Sequence, residues 1–115
     1  MGLSIYTFTV DCSDPDRVAR FWAAALGWEE TYRDDDEIAI EPVGDGQPAL
    51  LFGRAPDVKA GKNRLHLDLN PDDQEAEVRR LKELGATEVD IGQGEQTWVV
   101  LADPEGNEFC ILTPR

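Results

Sequence analysis

His66 is the only histidine of the chain. It stands in Arg64-Leu65-His66-Leu67-Asp68-Leu69, where strand alternation would put Arg64, His66 and Asp68 on one face. An imidazole that titrates at about pH 6.5 can serve as a general acid, a general base or a metal ligand. Asp68, Arg64, Glu108 and Cys110 are the groups that could share its work. No nucleophile, base and orienting group can be read together around it, so a hydrogen-bonded structural role stays open beside the chemical one. Cys110 lies amid Phe109, Ile111 and Leu112. An apolar setting raises a thiol's pKa and quiets it, so a small buried hydrophobe competes with a nucleophile there. Zinc accepts His and Cys, but a catalytic zinc takes three protein ligands and keeps an open position. Iron or manganese would want a carboxylate as well, from Glu108 or Asp68. On an extended strand Asp68 stands roughly 7 Å from His66, and Glu108 at a similar remove from Cys110.

Other residues offer binding rather than catalysis. Arg64 could hold a phosphate or carboxylate with both arms of its guanidinium, though a surface salt bridge is the commoner outcome. Trp22 fits a helix's buried stripe, whereas Trp28 and Trp98 could line a pocket or a subunit contact. Gly92-Gln93-Gly94 lacks both the third glycine and the following helix of a phosphate-cradling loop.

Composition bounds the function classes. At 115 residues the chain is expected to form one domain with a single two-layer core. A hydrophobic share of 41%, with three Trp and four Phe, argues for a folded globule. A net charge of -13 repels phosphates, so nucleic acid and anionic membrane surfaces are excluded as partners. No apolar run approaches the roughly 20 residues of a membrane span, and no leader is expected. Met1-Gly2-Leu3-Ser4 begins like an acylation signal, but Tyr6 stands where Ser or Thr is required. Two cysteines without metal-finger spacing imply reduced thiols and a cytoplasmic location.

The elements that must position these residues follow in order. Leu3 to Val10 alternates as a strand, with Tyr6, Phe8 and Val10 on one face and Ile5, Thr7 and Thr9 on the other. Asp14-Pro15 supplies an N-cap and an N1 proline, and Val18, Trp22, Ala25 and Leu26 recur at helical spacing. Gly27 sits where a left-handed residue would end that helix, with Trp28 folding back. Asp34 to Glu37 reads as an exposed hairpin tip, and Ile38 to Glu41 and Ala49 to Phe52 read as short strands. Residues 53–62 have connector composition. The plan then repeats: a strand over Arg64 to Leu69, a helix capped by Asp72 or Asp73 with a Val78, Leu81 and Leu84 stripe, and Gly85 closing it. Thr87 to Ile91 reads as a strand and Gly92 to Gln96 as a turn. Trp98 to Ala102 and Asn107 to Leu112 form a final hairpin around Asp103-Pro104-Glu105-Gly106. The chain therefore carries a βαβββ unit twice, which constrains the fold more than any single propensity. A ferredoxin-like sandwich is the competing arrangement.

Asp103-Pro-Glu-Gly-Asn-Glu-Phe-Cys-Ile-Leu112, together with this duplication, resembles the vicinal oxygen chelate superfamily. That superfamily groups glyoxalases, bleomycin-resistance proteins and extradiol dioxygenases. The resemblance implies an α+β fold in which two βαβββ modules, about 1–56 and 62–115, form a curved open mixed sheet. Tyr6, Phe8 and Val10, and likewise Leu65, Leu67 and Leu69, would pack beneath the helices. Thr7, Thr9, His66 and Asp68 would face a central cavity. Metal-using members draw ligands from the first and last strand of each module. Those positions fall at Thr7, within Ala49-Leu50-Leu51-Phe52, at His66, and at Cys110, where the family's pattern has Glu. Thr is a feeble ligand and the second segment offers none, so no metal is expected; a divalent ion, if one binds, would use His66, Cys110 and Glu108.

The resemblance thus implies a glyoxalase-like protein with a degenerate metal site, binding a small, partly apolar organic molecule. Thr7, Thr9, Arg64, His66, Asp68, Trp98, Glu108 and Cys110 are its candidate ligand contacts. The alternative is a metal-dependent lyase, isomerase or dioxygenase with His66 as ligand or base. A homodimer is implied by the same analogy.

Overall fold

The structure, a computed structural model, describes residues 5–44, 48–55 and 61–115. It divides into two compact units, Met1–Val58 and Lys59–Arg115. The first runs β1 (Thr7–Cys12), α1 (Pro15–Leu26), β2 (Glu29–Arg33), β3 (Glu37–Glu41) and β4 (Ala49–Arg54). The second runs β5 (Leu67–Leu69), α2 (Gln74–Leu84), β6 (Thr87–Glu88), β7 (Val99–Ala102) and β8 (Glu108–Ile111). Strand orders are β1-β4-β3-β2 and β5-β8-β7-β6, so the two topologies are the same. In each, the first strand pairs with the last in parallel and the remaining pairs are antiparallel. The fold is α+β with the βαβββ plan twice, which excludes the βαββαβ order of a ferredoxin-like sandwich.

Local chemistry explains both helices. The Asp14 carboxylate accepts the Arg17 amide at 3.2 Å, and Pro15 occupies the first turn. At the other end Gly27 takes φ 70°, and the Trp28 amide turns back to the Ala23 carbonyl. Asp73 caps α2 by accepting the Ala76 amide at 3.1 Å, and Gly85 closes it at φ 124°. α1 buries Val18, Ala19, Phe21 and Trp22, with the last two rings edge to face at 5.2 Å. They lie over the sheet face that carries Ile38, Ile40, Leu50 and Phe52, all buried. No helix among the described residues is long and apolar enough to cross a membrane.

Several expected boundaries are corrected. The first strand begins at Thr7; Leu3 lies outside the described residues, as do parts of both connectors, 45–47 and 56–60. Tyr6 is 89% exposed and Phe8 43%, so of the three residues expected beneath the helix only Val10 is shielded, as part-buried. Phe8 shares the face of Val10 and Cys12, but burial grows only toward the strand's end, where α1 begins. In the second unit Arg64 and Leu65 form a bend, and β5 keeps only Leu67–Leu69. Leu65 is 84% exposed rather than packed under α2, because the bend takes it out of the pleat. Leu81 is buried on α2, whereas Leu84 is exposed at the helix end. Thr87 to Ile91 shortens to Thr87–Glu88.

The closing turn is held by one carboxylate. Asp103 is a buried charged residue, and its side chain accepts the amides of Glu105 and Asn107, each at 2.9 Å, and the Asn107 side-chain amide at 3.1 Å. Its own amide bonds the Asn107 carbonyl, and the Gly106 amide returns to the Asp103 carbonyl. Hydrogen bonds to a buried charged acceptor contribute roughly twice what neutral ones do. Asp103→Ala is therefore expected to lower unfolding stability by about 1 to 3 kcal/mol, read from urea denaturation, because it leaves part-buried donors without their acceptor. Asp103→Asn should lose less, since one oxygen remains.

Candidate functional site

Two surfaces carry chemistry, one in each unit. In the first, strand parity sets Thr7, Ala49, Leu51 and Ala39 on the sheet face opposite α1. These residues floor an open groove of about 880 Å³. Glu37 and Glu41 stand at the two ends of β3 on the same face, and Tyr6, Tyr32 and Thr31 complete its walls. Tyr32 reaches the groove because the β2–β3 register shifts between Glu30 and Tyr32. Its hydroxyl donates to Asp34 Oδ2 at 2.6 Å. That bond, followed by the Asp34 charge, pushes the Tyr32 phenol above its ordinary pKa, with Glu37 adding to the same direction. Glu41 Oε1 accepts from the Thr31 hydroxyl at 2.7 Å.

In the second unit, β5 and β8 run parallel with Asp68 directly opposite Cys110. His66 precedes β5, and its Nε2 lies 3.2 Å from Asp68 Oδ1. The separation of roughly 7 Å expected along a strand is a backbone distance. The two side chains lean together and close it. His66, Asp68 and Cys110 each offer one donor atom, and these atoms all lie within 4.8 Å of one another. His66 and Asp68 are exposed whereas Cys110 is buried. Burial pushes the Cys110 thiol up first, then the charge of Asp68 and a hydrogen bond to it, against an opposing pull from Lys62.

The candidate residues thus separate into groups. His66, Asp68 and Cys110 come together. Glu108 does not join them: its carboxylate accepts the Asn63 amide at 3.1 Å while its carbonyl accepts the Asn63 side-chain amide. Arg64 is exposed in the bend before His66. Trp98 is part-buried just before β7. Thr7 lines the groove, and its hydroxyl is spent on the Ala49 carbonyl at 2.9 Å. Thr9 is exposed on the same face. Tyr6, Tyr32, Glu37 and Glu41 were missed. The parity of Glu37, Ala39 and Glu41 against buried Ile38 and Ile40 could have found the carboxylates.

A nitrogen, an oxygen and a sulfur donor fit zinc, which takes three protein ligands at a reactive centre. A bound divalent ion would be held by His66, Asp68 and Cys110 and would supply a Lewis acid there.

The sequence over residues 7–112 matches the profile of the glyoxalase-like domain. The chain belongs to that family, and its fold is that of glyoxalase/bleomycin resistance/dioxygenase proteins. Solved structures with the same fold include a glyoxalase/bleomycin resistance protein/dioxygenase family enzyme from Burkholderia phytofirmans PsJN. It is 18% identical with a TM-score of 0.78, covering 98% of this chain and 100% of that one. The fosfomycin resistance protein FosX from Mesorhizobium loti is 17% identical with a TM-score of 0.73, over 100% and 94% of the two chains. TnmS3, an antibiotic binding protein from Streptomyces sp. CB03234, is 20% identical with a TM-score of 0.66, over 100% and 99%. No curated protein sequence matches.

The Cys110 environment makes a directional prediction. The thiol should resist iodoacetamide at pH 8, and its alkylation rate should climb only at pH values above the ordinary thiol range. Asp68→Asn removes the negative neighbour but leaves the burial, so the midpoint should shift down without reaching that of a free thiol. Peptide mass spectrometry separates Cys110 from the second thiol, Cys12.

Proposed function

We propose that this chain binds a small, partly apolar organic molecule. The observation that carries the reading is the groove on the first unit's sheet, about 880 Å³ in volume. Ligand sites commonly span about 300 to 1,000 Å³, with an apolar lining and a few directed polar groups. Ala39, Ala49, Leu51 and the two tyrosine rings supply the apolar part, and Thr31, Glu37 and Glu41 supply the polar part. The antibiotic-binding and antibiotic-resistance proteins of the same fold support a ligand of drug-like size. The same reading takes the chain as a homodimer, with exposed Phe8 on edge strand β1 offering apolar contact surface.

A screen of small organic molecules by thermal unfolding tests the reading. A ligand at a hundred times its Kd should add about 2.7 kcal/mol to stability, a rise in Tm of several degrees for a chain of this size. Leu51→Arg, which fills the groove floor with a charge, should abolish that rise. A rise unchanged in Leu51→Arg would move the ligand out of the groove.

A second reading, metal-dependent lyase, isomerase or dioxygenase chemistry, is favoured by the convergence of His66, Asp68 and Cys110. Protein purified without chelator would then carry close to one divalent ion per chain, read by elemental analysis. His66→Ala and Cys110→Ser should each lower the metal content, while the thermal shift from the organic ligand survives if the two sites are independent.

A further inference from the structure

We infer that the occupant of the first unit's groove is an organic cation with an aromatic or aliphatic body. The inference rests on the groove being a ligand site and adds the ligand's charge. Glu37 and Glu41 lie four residues apart on β3, roughly 13 Å by strand rise, with Ala39 between them on the same face. The ends of the groove are therefore anionic and its middle is apolar. No lysine or arginine among the described residues lines it. Among the described residues no basic group pairs with either carboxylate, and the partner of Glu41 is a neutral hydroxyl, which leaves its charge uncompensated.

Three of this unit's four arginines are committed elsewhere, and the fourth, Arg17, is not among the groove's lining residues. Arg33 bonds Glu30 and Asp16, Arg20 pairs with Asp16, and Arg54 bonds the Ser13 carbonyl and lies beside Asp36. Tyr6 and Tyr32 expose their rings at the walls, and an aromatic face attracts a cation by its quadrupole. The hydrogen bond from Tyr32 to Asp34 adds a further carboxylate beside one of those rings. An anionic ligand would meet only like charge here. A neutral one would leave both carboxylates to be desolvated without a counter-charge, which is costly. The net charge of -13 also draws cations toward the surface before contact.

The test compares benzyltrimethylammonium, benzyl alcohol and benzoate, which share a ring and differ in charge. Binding is read by calorimetry and located by amide and tyrosine-ring chemical shifts on the full chain. The cation should bind at least about tenfold more tightly than the alcohol, with shifts centred on Ala39 and Tyr32, and benzoate should not bind there. Raising salt should weaken the cation and not the alcohol. Glu37→Gln and Glu41→Gln, which change exposed or part-buried side chains and leave the strand pairing intact, should each cost about fivefold for the cation alone. Tyr32→Leu should cost a similar factor.

If the alcohol binds the groove as tightly as the cation, or the Gln variants bind the cation unchanged, the charge assignment falls while the small-molecule reading stands. If none of the three perturbs the groove, both fall.

Discussion

In each unit the first and last strands run side by side in the same direction, and the chemistry depends on that pairing. Two parallel strands cannot be joined by a tight turn, so everything between them must make the crossover. Here the intervening chain is a helix and two further strands, which return the last strand to the first. Thr7 meets Ala49 and Asp68 meets Cys110 through this pairing, and the sequence separation is the same in both cases. That equality marks the duplication as a matter of register and not only of element order. The pairing also sorts faces, because alternate residues of a strand belong to opposite sides of the sheet. Leu50 and Phe52 go beneath α1, so Ala49 and Leu51 are left to floor the groove.

The two units spend the same geometry differently. In the first, the edge strand presents Thr7, whose hydroxyl already donates to the neighbouring strand's carbonyl. A neutral group so engaged contributes shape and little reactivity. The polar character of that face comes instead from β3, through Glu37 and Glu41, and from the bulged β2. In the second unit the corresponding edge presents His66 and Asp68, and the last strand answers with a thiol. Copies of one topology thus present different groups, carboxylates and tyrosines in the first unit and an imidazole, a carboxylate and a thiol in the second.

Much of this was legible in the sequence because it is local. A capping aspartate, an N1 proline and a left-handed glycine act within a turn of themselves, so both helices read correctly at their ends. The Asp103 turn is of the same kind, since its carboxylate serves amides two and four residues on. Legibility failed where a residue's fate depends on what lies across from it. Tyr6 and Leu65 continue an alternating pattern yet lie outside the strands, because pairing and not alternation decides where a strand begins. The roughly 7 Å between Asp68 and His66 along the backbone does not announce their meeting, although two flexible side chains can close such a gap. Glu108 was offered as an oxygen donor, but Asn63 had already claimed it, a contact that no local pattern announces.

The condition of Cys110 bears on which unit can act unaided. A thiol becomes a nucleophile or a ligand only as thiolate, and here both burial and the adjacent Asp68 oppose losing the proton. Hydrogen bonding to that carboxylate keeps the sulfur neutral and the carboxylate satisfied, a stable arrangement with little driving force for chemistry. Only a compact positive charge placed among the three donors would reverse the balance, since it stabilises thiolate and carboxylate together and competes with the proton for both. Burial and Asp68 therefore hold Cys110 as the thiol in the absence of a bound cation. The carboxylates of the groove need no such activation, because Glu37 and Glu41 stand on the open face of β3 and meet directly whatever enters.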